Sequence, residues 1–259
     1  MGPARKDTLD PHIERASGLI AAARSAGKRI PIPDTLRPAH AIEAYAIQDA
    51  VGAALGVPRT APGWKVGAPD ANTEPSAAPI YEILRSPARV PAARMAMLGV
   101  EAEVAIVFER ALPPRPEPYD EDEVLAGVRE LRIAIELCDS RLEDWERAND
   151  LIKLADHQLN FALVLGDACA HVRDIDFGAL TAITHVDGKM LAQGTGCHAV
   201  GNPLRLLPWL ANHARHRGGV GAGTAVTTGA WLGLHRVEPG ATVRVEFVGI
   251  GSAEVSFPR

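Results

Sequence analysis

The chain has 259 residues, of which 47% are hydrophobic and 23% charged, and its formal net charge is -5. That length supports one large domain or a small domain joined to a larger one, and the composition is that of a soluble globular protein. The acidic balance gives no basic footprint for nucleic acid, and no apolar run reaches the roughly 20 residues of a membrane helix. The opening MGPARKDTLDPHIERASG lacks the apolar core of a signal peptide, so a cytoplasmic protein is expected. Cys138, Cys169 and Cys197 are far apart and odd in number. They fit a reducing compartment, with each thiol a small buried side chain and neither a disulfide framework nor a zinc cluster.

From residue 10 to 56 the pattern is helical. Ile13, Ala16, Leu19, Ile20 and Ala23 keep a 3.6-residue period, as do Ile42, Tyr45, Ala46 and Val51. GKRIPIPDTLRP (27–38) separates the two helices, because its prolines forbid a continuous one. Beyond Pro58 and Pro62 the signal turns to strands, with short apolar runs at 100–108, 131–137, 161–165, 182–186, 225–228, 243–247 and 253–257. Asp187-Gly188 predicts a two-residue hairpin, and Pro239-Gly240 and the Gly249/Gly251 pair predict turns. Two helices interrupt the strands. One starts near Asp120 with acidic first-turn residues, and the other runs over 203–217, capped by Asn202 and stopped by Gly218-Gly219. The fold class is α+β.

Within GVEAEVAIVF (99–108), Glu101 and Glu103 interrupt a core-like strand. Residues two apart point to one face of a strand, about 7 Å from one another. Two readings are open. The face is solvated, as on a half-exposed antiparallel strand, or it turns inward and the carboxylates hold a hard divalent cation such as Mg2+ or Mn2+, since burying them bare is costly. Glu136, enclosed in LRIAIELCDSR, needs a buried partner and favours the inward reading. Lys65 lies in GWKVG (63–67). It is either a surface loop cation or a site lysine whose apolar surround lowers its pKa.

His213 and His216, in the last turn of the 203–217 helix, read as surface residues, with Trp209 and Leu210 on its buried side. GTGCHAVG (194–201) has the wrong glycine spacing for a dinucleotide fingerprint and predicts a tight turn lining a site, with His198 a weaker site candidate.

Taken in order, GWKVG, GVEAEVAIVF, IELCDSRLEDW, LADHQLNFALVLG, DGKMLAQGTGCHAVGNPLRLLPWLAN and TTGAWLGLHRVEPGATVRVEFVGIGS resemble the 2-keto-4-pentenoate hydratases and 4-oxalocrotonate decarboxylases of the fumarylacetoacetate hydrolase superfamily, over about 40–257. The resemblance implies a helical N-terminal region (1–62) followed by a β-rich catalytic domain (63–259), a mixed β-sheet roll of the fumarylacetoacetase C-terminal type. It implies Glu101, Glu103 and Glu136 as ligands of Mg2+ or Mn2+, Lys65 as the catalytic residue, and Tyr81, Glu82, Asp156, Thr228 and Gly229 as substrate-binding positions. The expected activity is a metal-dependent hydratase acting on a 2-hydroxydienoate or 2-oxo acid in aromatic catabolism, as a homo-oligomer. A 4-oxalocrotonate-type decarboxylase and an acylpyruvate carbon–carbon hydrolase are the alternatives, and a non-catalytic keto-acid-binding protein is the rival of another class. Three positions depart from the family pattern. The family's acidic pair is missing from APIYEILRSPARV, Ala230 stands where a hydroxyl is usual, and 155–160 reads ADHQLN where the family has A-D-N-x-S.

Overall fold

The computed structural model describes residues 9–259; residues 1–8, the beginning of the predicted helical region and of the segment read for a signal peptide, lie outside the described residues. Helix α1 (Pro11–Ala26) is capped by the Asp10 carboxylate and ends at Gly27, whose φ of 60° suits glycine. Helix α2 (Ala41–Ala54) follows the proline-rich break. The two helices pack on one another around Ala16, Ile20, Ala44, Ile47 and Val51. Leu19 and Ile42, expected inside, are 38% and 79% exposed. The face that α2 buries is set by its neighbours, which pack along Ala44, Ile47 and Val51 and leave the first turn outside.

The remainder alternates strands with short helices. In chain order these are β1 (Gly63–Gly67), β2 (Ser76–Ile80), β3 (Ile83–Arg85), β4 (Ala88–Arg89), β5 (Gly99–Phe108), α3 (Glu121–Leu125), β6 (Val128–Cys138), α4 (Asp150–Ala155) and β7 (Asn160–Cys169). Then come β8 (Thr181–Val186), β9 (Lys189–Thr195), α5 (Leu207–Ala214), β10 (Ala225–Thr227), β11 (Leu234–Arg236), β12 (Thr242–Phe247) and β13 (Gly251–Ser256). One mixed sheet has the order β2-β1-β10-β5-β6-β7-β3, with β11 also paired to β5; the other has the order β4-β13-β12-β8-β9. The predicted hairpin joins β8 to β9, with φ of 50° at Asp187 and 76° at Gly188, the left-handed pair that such a turn requires. Asp120 caps α3, and Asn202 caps a 3-10 turn that leads into α5.

The main core lies between the sheets. Trp64, Val100, Val104, Ile106, Ile133, Ile135 and Val164 of the first meet Val243, Val245, Phe247, Val255 and Phe257 from the second sheet and its end. The sheets approach so closely that a Cβ on Gly166 would stand 2.1 Å from the Ser252 carbonyl oxygen. Period-two alternation sends the other residues of β5 and β6 to the opposite face, where Ile80, Ala105, Val107, Ala134, Leu163 and Ala225 form a smaller apolar cluster. Glu103 and Glu136 stand two residues from Ala105 and Ala134 on that same face. The α+β class and the rolled mixed sheets are as expected from the sequence. Helix α4, from within the β-rich part, joins the helical core through Ile152, Leu154 and Ala155.

Candidate metal centre and active site

Strands β5 and β6 run antiparallel with Glu101 directly opposite Glu136, and Glu103 opposite Ala134. Strand β10 lies between β5 and β1, pairing Thr227 with Ala105 on one side and with Lys65 on the other. The ladders therefore bring three carboxylates, Lys65 and Thr227 to one face. Glu103 and Glu136 are fully buried. The Lys65 ammonium lies 2.9 Å from Glu136 Oε2 and 3.7 Å from Glu101 Oε2, and it donates to the Gln158 carbonyl oxygen at 3.2 Å. Asn160 Nδ2 donates to Glu136 Oε1 at 3.0 Å. Glu103 Oε2 accepts from the Thr227 hydroxyl and, at 2.9 Å, from the Gly229 amide. Glu103 Oε1 is buried with no hydrogen-bond partner.

These surroundings control charge. Burial raises the pKa of Glu101 against the pull of Lys65, and burial followed by the Glu101 charge raises that of Glu103. Burial pushes Glu136 up to about 7, with Lys65 opposing and Glu103 adding repulsion. For Lys65, burial works against the ammonium, but the Glu136 and Glu101 charges outweigh it and hold the pKa well above its ordinary value. The expectation of a lysine lowered by an apolar surround is thereby corrected: its neighbours are carboxylates, and it is a persistent cation. With all three carboxylates ionised, Lys65 neutralises one charge and leaves two. A divalent cation balances those, and the all-oxygen donor set with an orphaned Glu103 oxygen fits such an ion.

The segment after α4 holds the cluster from the side. His157, Gln158 and Leu159 have φ of 58°, 51° and 66°, a left-handed turn without glycine that costs roughly 1–2 kcal/mol per residue. Arg141 pins its start, donating to the Asp156 carboxylate from Nε at 2.5 Å and to the Asn160 carbonyl from Nη1 at 3.0 Å. Arg24 of α1 reaches the carbonyls of Asn160 and Phe161, both at 3.0 Å. The turn presents the Gln158 carbonyl to Lys65 and the Asn160 amide to Glu136.

The remaining expected site residues have other principal partners. The Tyr81 hydroxyl hydrogen-bonds His157 Nε2 at 2.8 Å. Glu82 accepts a two-bond fork from Arg94, at 3.1 and 2.7 Å. Asp156 is buried on Arg141 and Ser140. Thr228 donates to the Val104 carbonyl, and its own carbonyl meets His198 Nε2 at 3.0 Å. His198 thus ties the 194–201 turn to the strand end beside Glu103. His213, expected on the surface, is half-buried: its ring stacks on Trp209 with centroids 5.0 Å apart and lies 4.4 Å from that of Tyr45. His216 is exposed as expected, and it lies beyond the end of α5, in the turn that follows Ala214. Asn160, Gln158 and Thr227 were not singled out from sequence. The one signal for Asn160 was an amide opening an apolar strand, and a main-chain acceptor such as Gln158 leaves none.

The fumarylacetoacetate (FAA) hydrolase C-terminal family model matches residues 49–257, and the chain belongs to that family. Among its relatives, it is 34% identical to a 2-keto-4-pentenoate hydratase of Paraburkholderia phymatum over 170 residues, 65% of this chain and 63% of that enzyme. It is 31% identical to a 4-oxalocrotonate decarboxylase of Pseudomonas putida over 160 residues, 61% of this chain and 59% of the relative. The chain thus spans a little under two thirds of the length of these relatives. The fold matches 4-oxalocrotonate decarboxylase from Pseudomonas putida G7, solved with magnesium and adipate, at a TM-score of 0.81 and 22% identity, covering 96% of this chain and 99% of that one.

Proposed function

We propose that the protein is a divalent-metal-dependent hydratase that adds water to a 2-hydroxydienoate through its 2-oxo tautomer. The observation that carries the reading is the cross-strand Glu101/Glu136 pair with Glu103 beside it, spanned by one lysine. Glu101, Glu103 and Glu136 would hold Mg2+ or Mn2+, and that ion would supply a Lewis acid for the carboxylate and 2-oxygen of a 2-oxo acid. The relatives named as hydratases and decarboxylases support a shared first stage, in which charge develops on the 2-oxygen.

Lys65 answers that charge. Its ammonium is fixed by Glu136 and by the Gln158 carbonyl, so it needs little reorganisation as negative charge grows on the substrate. In ketonisation the 2-hydroxyl proton leaves and a carbon at the far end of the diene gains one. Water then adds across the remaining double bond, its oxygen to the fourth carbon and its proton to the third. Apolar side chains at Ile80, Val107 and Leu163 line the same face and exclude bulk water from the reacting chain. Of the positions expected to bind substrate, Tyr81 and Glu82 would do so directly, whereas Asp156, Thr228 and Gly229 would serve the substrate site by positioning its wall, Asp156 on Arg141, Thr228 on the Val104 carbonyl and Gly229 through its amide on Glu103. Residues 63–259 would form the catalytic part and 1–62 a helical part that buttresses it through Arg24. Several copies assembling in the cytoplasm complete the proposal; Met190, Leu191 and Val248, exposed by 61%, 47% and 51%, offer apolar surface to a second copy.

A decarboxylase is the second reading, favoured by the likeness in fold to 4-oxalocrotonate decarboxylase over nearly the whole chain. The test is a spectrophotometric assay with 2-hydroxypenta-2,4-dienoate and with 4-oxalocrotonate, each with Mg2+, with Mn2+ and after chelation. The proposal expects metal-dependent loss of the dienol absorbance and a 4-hydroxy-2-oxo acid product. Release of CO2 from 4-oxalocrotonate alone would establish the decarboxylase. Ligand-induced stabilisation without turnover would establish a binding protein.

A further inference from the structure

Strand β11 lies along β5 on the edge away from β6, with Leu234 opposite Glu101 and Arg236 opposite Gly99. Residues directly opposite one another in a ladder share a face, so both side chains rise on the face that carries the three carboxylates. Arg236 stands one step further out than the Glu101/Glu136 pair, about 7 Å along the strand. The step between is apolar. Gly99 has no side chain, and a Cβ there would meet Met97 Cε at 2.8 Å and Leu234 Cδ1 at 2.9 Å. At that end of the ladder a cavity of about 350 Å3 opens between Arg236, Arg29 and the turn 143–147, where half-buried Trp145 supplies a flat wall. Arg236 is exposed and Arg29 half-buried, and neither is ion-paired among the described residues. Arg29 donates from Nη2 to the Ala96 carbonyl at 3.1 Å, while its Nε is buried with no hydrogen-bond partner. Glu143, Asp144 and Glu146 also border the cavity, but as exposed side chains whose charge water screens.

We propose that Arg236, with Arg29, binds a second carboxylate at the far end of the substrate, so that the site selects a dicarboxylate over the matching monoacid. The inference rests on the metal-dependent reading above and names its substrate class more closely. A dicarboxylate held at its first carboxylate and 2-oxygen presents an uncharged carbon chain and then a second anion. The face offers the same order: the carboxylates that would hold the cation, then apolar Met97 and Leu234, then two unpaired guanidiniums. A carbon chain with bonds of about 1.5 Å covers the step of about 7 Å in roughly five or six bonds. The planar fork of an arginine matches a carboxylate in two parallel hydrogen bonds, and an unpaired Arg236 has no existing ion pair to break.

The experiment compares two saturated acids, 2-oxohexanoate and 2-oxohexanedioate, which differ only in a terminal methyl against a terminal carboxylate and have no double bond to hydrate. Calorimetry gives the affinity of each for the full chain with and without Mg2+. Wild type with Mg2+ should bind the dioate about tenfold or more tightly, the scale of a hydrogen bond between charged groups, and added salt should shrink that ratio. Arg236→Gln should bring the ratio close to one, and Arg236→Lys, a point charge without the fork, should keep part of it. Arg129→Gln removes an equal charge from an exposed position at the other end of β6 and should keep the wild-type ratio. A wild-type ratio near one, a ratio that survives Arg236→Gln, or an equal fall in Arg129→Gln overturns the second-carboxylate site. If Mg2+ improves the binding of neither acid, the metal-dependent reading itself fails, and the second-carboxylate site with it.

Discussion

Glu101 and Glu136 face one another directly across the β5/β6 ladder, and the Lys65 ammonium lies against both, at 3.7 and 2.9 Å. Like charges opposite one another destabilise a sheet. Here the pair is followed two residues on by a third buried carboxylate. A chain that keeps this arrangement has a use for the unbalanced charge, and a bound cation is the use that the oxygen donors suit.

Glu136→Ala should therefore weaken Mn2+ binding by more than about a hundredfold, since even supporting contacts around a metal are worth about 10–100-fold. The metal-free variant should stay folded, because Lys65 keeps Glu101 as its counter-ion, at 3.7 Å, while the buried Glu136 carboxylate is gone. Thermal unfolding with and without Mn2+ checks both halves: the stabilisation by metal should vanish while the metal-free midpoint holds. Wild-type Mn2+ affinity in the variant would refute the three-carboxylate assignment.

Lys65 should act on the reaction more than on the metal. Lys65→Ala is expected to lower kcat by roughly a hundredfold or more, the scale of losing a fixed donor at developing negative charge. Lys65→Arg keeps the charge but cannot place a compact ammonium between Glu136 and the Gln158 carbonyl, so it should recover little. Steady-state kinetics beside Mn2+ titration separates the two effects, and near-normal turnover in Lys65→Ala would make the lysine a mere counter-ion.

Asn160 orients Glu136 through one hydrogen bond from its amide. Asn160→Ala should cost about tenfold or more in metal affinity with the fold intact. Asn160→Asp should cost more, because it replaces the donor with a further negative charge. Calorimetric titration of both variants with Mn2+ gives the order, and Asn160→Asp binding better than Asn160→Ala would contradict this role.

The pH dependence of stability should carry the mark of His213. Burial, then the Arg217 charge, lower its pKa to about 3, and its Nε2 lies 2.6 Å from the Arg217 guanidinium as a neutral acceptor. In the unfolded chain the same ring titrates near its ordinary value of about 6.5. Above that value neither state binds the proton, and there is no effect. As the pH falls from about 6.5 towards 3, only the unfolded state takes up the proton, and stability is lost. His213→Gln keeps an acceptor for Arg217 but does not titrate, so its unfolding midpoint should fall less steeply across that window. Parallel wild-type and variant curves would show that His213 is already free to protonate in the folded state.

Much of this architecture was legible in the linear chain because it rests on local rules. Alternating side chains marked β5, the Asp187-Gly188 pair marked its hairpin, and prolines marked where the first helices break. Glu101, Glu103 and Glu136 stood out because a carboxylate inside an apolar strand conflicts with its surroundings, and such a conflict is visible in one dimension. Other decisions depended on register and packing. That Glu101 lies opposite Glu136, that β10 inserts between β5 and β1 and so brings Lys65 over, and that Cys138 joins the same face are pairings between residues 35 to 162 positions apart in the chain, as the numbering shows. The sign of the Lys65 shift followed from them, since apolar neighbours lower a lysine and carboxylate neighbours raise it, and its five-residue context held only the former. Likewise His213 read as exposed because a helix's last turn usually is; only the arrival of Tyr45 from α2 and Arg217 beyond the helix encloses it. Local chemistry chose the residues, whereas long-range strand pairing chose their charges, because electrostatic energy depends on distance through space.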